Sequence, residues 1–491
     1  MTKQNRSTIG IAAAARKLLG FPTLRPGQEE AIRSLLEGHD TVLVQPTGSG
    51  KSAVYQIAGA LMEGSTLVVS PLIALQKDQS DSIQASRLQE TAVVNSTLSA
   101  GEERDTLERI REGNVEYIFM APEQLRKSET IDLLRSADVS LIAIDEAHCI
   151  SQWGHDFRPD YMGLAHVIEA LGHPPTVAMT ATASKEVRKE IIERLGLRAP
   201  RVFVHGFDRP NISLRVDQFS SKQEKRDAVL RRVEWAEKPG IVYVSTQKNA
   251  EDIAMELRQI GVDAVFYHGG LKPKEREEIQ NRFMNGDVPV IVATNAFGMG
   301  VDKPDIRFVY HADVSESLDG YYQEIGRAGR DGEPAEAVLF FRSQDISSQQ
   351  YKTGSGTVDS KALETVAHAL ANHKTPATRD QLVRETSLSS RKLTGIVHKL
   401  EEVGAAKQLE TGEIEAAKEG SIVDIAEAAA EQQHKYKESR RIRLKQMQDY
   451  AECRRCRREC LLRYFGDDYS GPCGNCDRCE QAGIKTKKVA A

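Results

Sequence analysis

Apolar residues gather in short runs that stop abruptly at polar or Pro/Gly-containing stretches, and between the runs they recur at helical spacing. Val42 to Val44, Thr66 to Val69, Tyr117 to Met120, Leu141 to Ile144 and Thr176 to Met179 predict buried strands. They end at Gln45-Pro46, Ser70-Pro71, Ala121-Pro122-Glu123, Asp145-Glu146 and Thr180-Ala181-Thr182. Helical segments separate them, with two more, Ile11 to Leu19 and Glu29 to Leu36, ahead of the first run. Strands alternating with helices predict a parallel sheet with ligands at the strands' carboxyl ends. A second alternation begins near Val202, with strands at Gly240 to Val244, Ala264 to Tyr267, Val288 to Ala293 and Ile306 to His311 and a helix at Lys274 to Met284.

The last third of the chain is patterned differently. Lys352 to Ser360 is a Gly/Ser/Thr-rich linker, followed by helices at Ala362 to Ala371, Thr378 to Glu385 and Ser389 to Val403. Leu393, Ile396, Val397, Leu400 and Val403 keep one helical face apolar, and Ala406 to Ile414 fits a small hairpin. Three helices and a hairpin predict a winged helix. Arg391, Lys392, His398 and Lys399 suit a DNA-facing helix, or equally a solvated basic face.

The chemistry concentrates at the predicted strand ends. After Val44 the chain reads Gln45-Pro46-Thr47-Gly48-Ser49-Gly50-Lys51-Ser52, a phosphate-binding loop in which Gln45 replaces the first glycine of the usual pattern. Backbone N–H groups from Thr47 to Gly50 would cradle phosphate oxygens, Lys51 would add charge, and the Ser52 hydroxyl would ligate magnesium. Asp145 would hold that ion through water, and Glu146 would orient or deprotonate the attacking water. Gln28, in a proline-bounded strip before the loop, could read an adenine edge through its amide; taken alone it reads as a surface residue. Arg327 and Arg330, three residues apart, are expected on one helical face, reaching across an interface to a terminal phosphate. By themselves they read as a solvated basic turn.

At 491 residues the chain exceeds one core, and its 40% hydrophobic and 28% charged residues are those of a soluble globular protein. The net charge of -5 gives no global sign of a polyanion partner, but His434 to Arg463 carries eleven Lys or Arg against four Asp or Glu. No apolar run is long enough to cross a bilayer and no signal peptide is evident, so a cytoplasmic location without membrane attachment is expected. Six of the seven cysteines lie between Cys453 and Cys479, which in an intracellular chain favours metal over disulfides. Cys456, Cys473, Cys476 and Cys479 have the spacing of a closed, structural zinc site. Cys453 and Cys460 remain as extra thiols, either free or replacing Cys456 as a ligand.

The order Leu24 to Gln28, Thr47 to Ser52, Ser70-Pro71-Leu72, Asp145 to His148, Thr180 to Thr182, Tyr267 to Gly269, Ala293 to Asp302 and Gln323 to Arg330 resembles the superfamily 2 helicases. The stretch Cys149 to Pro159, with Trp153, His155, Phe157 and Arg158, is similar to the aromatic-rich loop of the RecQ DNA helicases. Residues Cys453 to Glu480, with Leu461-Leu462 and Tyr464-Phe465-Gly466, resemble the RecQ zinc module. The resemblance implies an α/β chain with two RecA-like parallel-sheet domains, 1–205 and 206–350, then a winged-helix segment at 351–422 and a helical zinc-binding domain at 423–491. It implies an ATP-, magnesium- and zinc-containing DNA helicase of 3' to 5' polarity acting in recombination or repair, nucleoid-associated in a bacterium. Lys51, Asp145, Glu146 and Arg330 would be catalytic, and Arg25, Gln28, Thr47, Gly48, Ser49, Gly50, Lys51, Ser52, Gln323, Arg327 and Arg330 would bind ATP. Trp153, His155, Phe157 and Arg158 would bind DNA, by stacking on bases and meeting phosphates. Single-stranded and tailed or forked duplex DNA are the implied partners, with single-stranded-DNA-binding or recombination proteins beside them. In that family the winged helix generally follows zinc; here it precedes the cysteines.

Overall fold

The computed structural model describes residues 10–484 apart from 21, 47, 72, 86–89, 96–97, 152–157, 299–302, 348, 350–359, 374, 404, 410–412 and 417–421. Among the described residues the first sheet holds β1 (Thr41–Val44), β2 (Ser65–Val69), β3 (Thr91–Val94), β4 (Tyr117–Met120), β5 (Val139–Ile144), β6 (Thr176–Thr180) and β7 (Arg201–Val204). Their spatial order is β3-β4-β2-β5-β6-β1-β7, with every pairing parallel. β1, β2 and β4 are buried along their whole length. Helices cover both faces of such a sheet, which is why these strands read as continuous apolar runs.

The second sheet holds β8 (Ile212–Gln218), β9 (Gly240–Tyr243), β10 (Ala264–Tyr267), β11 (Val290–Ala293), β12 (Phe308–His311) and β13 (Ala335–Phe341), in the order β10-β11-β9-β12-β13-β8. These are also parallel. Each strand expected from sequence is present, with ends shifted by no more than two residues. The unforeseen strands β3, β7, β8 and β13 complete the sheets.

By compactness the chain divides into two units, Met1–Arg342 with Met447–Ala491, and Ser343–Gln446. The helix Ile422–Glu452 contributes its first part to the second unit and its last turns to the first. In the second unit the helices Ser360–Asn372, Arg379–Thr386 and Ser390–Glu402 enclose Leu363, Val366, Leu382, Leu393, Ile396 and Leu400. Thr378 and Ser389 cap the latter two helices by accepting from Gln381 N and Lys392 N. An antiparallel pair follows, β14 (Ala406–Gln408) with β15 (Ile414–Ala416), and Ala377 makes a single antiparallel bridge to Ile414. This is the three-helix and hairpin arrangement expected there. The side chains of Arg391 and His398 lie outside the described set.

The cysteine-bearing segment closes the open edge of the second sheet. Leu214 of β8 bridges to Cys476 and donates its N–H to Asn475 O at 3.3 Å. Phe465 stacks on Phe207 at 4.6 Å between centroids. Within the segment, Arg457 is wholly buried: its guanidinium donates to Asp477 Oδ1 at 3.0 Å and Oδ2 at 3.1 Å, and to the carbonyls of Tyr450 and Ala451 at 2.7 and 3.1 Å. A buried charge stripped of its counter-charge is costly, so Asp477→Ala is expected to destabilise the first unit by about 3–5 kcal/mol in a denaturant titration. A variant within about 1 kcal/mol of the parent would contradict this. Among the described residues no helix is long and apolar enough to cross a membrane.

Candidate active site and metal centre

The phosphate loop follows β1 and leads into the helix Ser52–Leu61. Gly50 sits at φ +82°, where only glycine is unstrained, and a Cβ there would press within 2.9 Å of Gln28 Nε2. Gln45 is buried: its Nε2 donates to Pro26 O at 3.2 Å and its Oε1 accepts from Ser49 Oγ at 3.3 Å. The residue that departs from the usual glycine thus fastens the loop to the strip before it. Gln28 completes the fastening, since Oε1 accepts from Arg25 N at 2.7 Å and Nε2 donates to Gly50 O at 2.8 Å. The Arg25 guanidinium donates to Gly48 O.

Lys51 Nζ donates to Gln45 O at 3.0 Å and Pro46 O at 3.2 Å. Burial pushes its pKa down, against the upward pull of Glu146 and Asp145, and Arg330 adds to the fall. Ser52 Oγ accepts from Gln79 Nε2 at 3.2 Å, and Gln79 Oε1 in turn accepts from Tyr55 at 2.6 Å. No local pattern pointed to Gln79, which comes from the helix Ile73–Ala85.

At the end of β5, Asp145 donates its N–H to Val69 O at 2.8 Å and its carbonyl accepts from Tyr161 at 3.0 Å. Burial, then the neighbouring Glu146 charge, raise the Asp145 carboxyl to about 6. Glu146 adopts a left-handed backbone, φ 47° and ψ 44°, an uncommon conformation for a side-chain-bearing residue and one found at functional turns. His148 Nδ1 lies 3.3 Å from Glu146 Oε2 and 3.0 Å from Thr180 Oγ1. The imidazole thereby ties the acidic pair to the Thr180-Ala181-Thr182 end of β6. Arg158 Nη1 donates to Pro71 O at 3.1 Å. Thr47, Trp153, His155 and Phe157 lie outside the described residues.

The second sheet supplies the opposing wall, and here one expectation fails. Arg327 and Arg330 do not share a helical face: the helix Leu318–Ile325 ends at Gly326, and both arginines stand in the turns beyond it. Gly329 at φ +54° makes that turn, and a Cβ on it would meet Asn211 Nδ2 at 2.5 Å and Glu333 O at 2.7 Å. Arg209 braces the turn, its guanidinium donating to Gly326 O at 3.1 Å and to Ala328 O and Gly329 O at 2.9 Å. Arg327 is buried. Together with Gln323, Asn295, Phe297, Ser315 and Ser317 it lines a cleft of about 270 Å³. Arg330 reaches the phosphate loop itself: its Cδ lies 3.7 Å from where a Cβ on Gly48 would stand.

The sulfurs of Cys456, Cys473, Cys476 and Cys479 lie within 4.8 Å of one another, with Cys473 and Cys479 4.0 Å apart. A tetrahedral zinc with bonds of about 2.3 Å has sulfur–sulfur edges of about 3.8 Å, so the four thiolates fit it. Cys453 and Cys460 are bonded to each other as a disulfide, so the reading of them as extra thiols is corrected and neither replaces Cys456. Arg454 to Glu459 carry the backbone between their two positions, a separation too short for sequence spacing to rank against metal binding.

Three protein families match in chain order: DEAD/DEAH box helicase over residues 25–190, helicase conserved C-terminal domain over 221–332, and RecQ zinc-binding over 416–480. The probable ATP-dependent DNA helicase RecS of Bacillus subtilis is 40% identical over 373 residues, which are 76% of this chain and 74% of that protein. The chain belongs to the RecQ family of helicases. The RecQ helicase of Haemophilus influenzae is 34% identical over 466 residues, 94% of this chain and 62% of that one, so this RecQ-family chain spans less than two thirds of that relative. Among solved structures, the helicase MrfA bound to DNA and AMPPNP is similar in fold, with a TM-score of 0.57 at 20% identity over 84% of this chain and 62% of that one.

Proposed function

We propose that this chain is an ATP- and magnesium-dependent DNA helicase that translocates on single-stranded DNA in the 3' to 5' direction and unwinds duplexes during recombination or repair. The observation that carries the reading is the approach of Arg330, from the second sheet, to Gly48 in the phosphate loop of the first. A nucleotide held between the two would make hydrolysis depend on their closure, and closure and opening convert hydrolysis into relative motion.

In this reading the backbone of Thr47 to Gly50 and the Lys51 ammonium bind the phosphates, while Arg25 and Gln28, whose side chains bond to the carbonyls of Gly48 and Gly50, hold the loop in place for the nucleotide. Ser52 and Asp145 would hold the magnesium ion, whose charge offsets that of the transferring phosphoryl group. Glu146 orients the attacking water and accepts its proton. Gln323 and Arg327 line the cleft opposite, and Arg330 meets the charge that develops in the transition state. Trp153, His155, Phe157 and Arg158 contact single-stranded DNA, and Arg158 connects that loop to Ser70-Pro71. Zinc held by Cys456, Cys473, Cys476 and Cys479 is structural. The three-helix unit supports a second reading, an ATP-switched regulator that binds duplex DNA through its winged helix.

The test is unwinding of matched duplexes carrying a 3' or a 5' single-stranded tail, with ATP and magnesium. Opening of the 3'-tailed substrate alone is expected. Hydrolysis stimulated by single-stranded DNA without opening of either duplex would make the chain a translocase or remodeller instead, and sequence-selective duplex binding would favour the regulator.

A further inference from the structure

The turn that carries Arg327 and Arg330 is held on one side by Gly329 N and Asp331 N, which donate to Ile306 O and Pro304 O at 2.8 and 3.2 Å, and on the other by a short segment, Asp208 to Ile212, which is held in turn by the cysteine-bearing module. On its inner side Arg209 donates to the carbonyls of Gly326, Ala328 and Gly329, and Asn211 Nδ2 donates to Gly329 O at 2.8 Å and Glu333 O at 2.9 Å. Backbone carbonyls across the turn are thus tied to two side chains. On its outer side Arg458, itself buried, donates to Arg209 O at 2.9 Å and Ile212 O at 2.7 Å, and its Nε lies 3.0 Å from Asp208 Oδ1. Asn475, between two cysteine ligands, donates to Pro210 O at 2.9 Å. The space enclosed among Arg209, Gly326 and Arg458 is about 20 Å³, room for one water at most, so the assembly has little slack.

We infer that Arg458 is a positioning residue for ATP hydrolysis: by fixing the segment from Asp208 to Ile212 it sets, through Arg209, where the turn presents Arg330 to the phosphate loop. The inference rests on the hydrolytic reading given above. The module then has two consequences from one interaction, because it completes the edge of the second sheet and also indexes the group that meets the transition state. A misplacement of about 1 Å at a catalytic group is worth about 10²-fold in rate. Arg458 touches neither nucleotide nor loop, so its loss should act on turnover and leave nucleotide binding in place.

The experiment is a double-mutant cycle of Arg458→Ala with Arg330→Ala, measuring kcat and KM for ATP hydrolysis on saturating single-stranded DNA, with zinc content and the unfolding midpoint recorded for every protein. The expected result is a fall in kcat of about tenfold to a hundredfold for Arg458→Ala. KM for ATP should stay within about twofold and zinc at the parent level, with no further fall when the substitution is added to Arg330→Ala. Should Arg458→Ala not fold, Asn475→Ala, which removes only the hydrogen bond to Pro210, takes its place in the same cycle. Multiplicative effects, or an unchanged kcat, would overturn the inference. If the parent chain itself lacks DNA-stimulated hydrolysis, the functional reading fails; if the parent hydrolyses ATP and the effects multiply, only the positioning role fails.

Discussion

Replacing Lys51 with Ala brings DNA-stimulated ATP turnover down by at least about 10³-fold while the chain stays folded. Lys51 is half-buried in the loop, hydrogen-bonded to the carbonyls of Gln45 and Pro46 and flanked by the charges of Asp145 and Glu146. Its ammonium is the full positive charge at the base of the cradle, and no neighbour can move in to replace it: Arg25 is committed to Gly48 O, and Arg330 approaches from the opposite wall. The fold survives because the Lys51 ammonium bonds to two loop carbonyls and not to the strands of the sheet. Phosphate release, followed alongside far-ultraviolet circular dichroism, checks both halves of the statement. Turnover within about tenfold of the parent would remove Lys51 from the mechanism.

Arg330→Ala should lower kcat by about 10³-fold or more and leave the affinity for ATP much less changed, because an arginine finger acts on charge that appears only in the transition state. Arg330→Lys should recover little, since an ammonium cannot reproduce the planar fork that meets two phosphate oxygens at once. Single-turnover hydrolysis beside equilibrium binding of a fluorescent ATP analogue separates the two effects. An equal loss of binding and turnover would instead make Arg330 an ordinary ground-state ligand of the phosphates. Arg327, buried in its own cleft, should affect binding more evenly with turnover.

The strands that lead into the candidate site were legible because they lie inside parallel sheets and are apolar on both faces, as in Val42 to Val44 and Leu141 to Ile144. β8 escaped notice for the converse reason. As an edge strand it alternates buried and half-exposed positions, Ile212, Leu214 and Val216 inward and Ser213, Arg215 and Asp217 outward, and it follows Pro210-Asn211, which reads as a turn. In β13 the half-buried Glu336 interrupts the run. At the site, Lys51, Ser52, Asp145 and Glu146 declared themselves by neighbouring residues. The placement of Arg330 did not, because spacing of three suggested a helix while Gly326 and Gly329 imposed a turn. Gln79, Arg209 and Arg458 were invisible for a different reason: their partners are dozens to hundreds of positions away in the chain, and no local pattern encodes such an interaction.

That separation has a consequence for how the protein is made. β8 ends up paired at Leu214 with a segment roughly 260 residues further along, and the three-helix unit is synthesised in between. At ribosomal speeds of about 5–20 residues per second, the edge of the second sheet waits on the order of 13 to 50 s for its cover. During that interval the outer edge of β8, whose other side pairs with β13, is open to whatever is nearby, and the module that covers it is the last of the described parts to leave the ribosome.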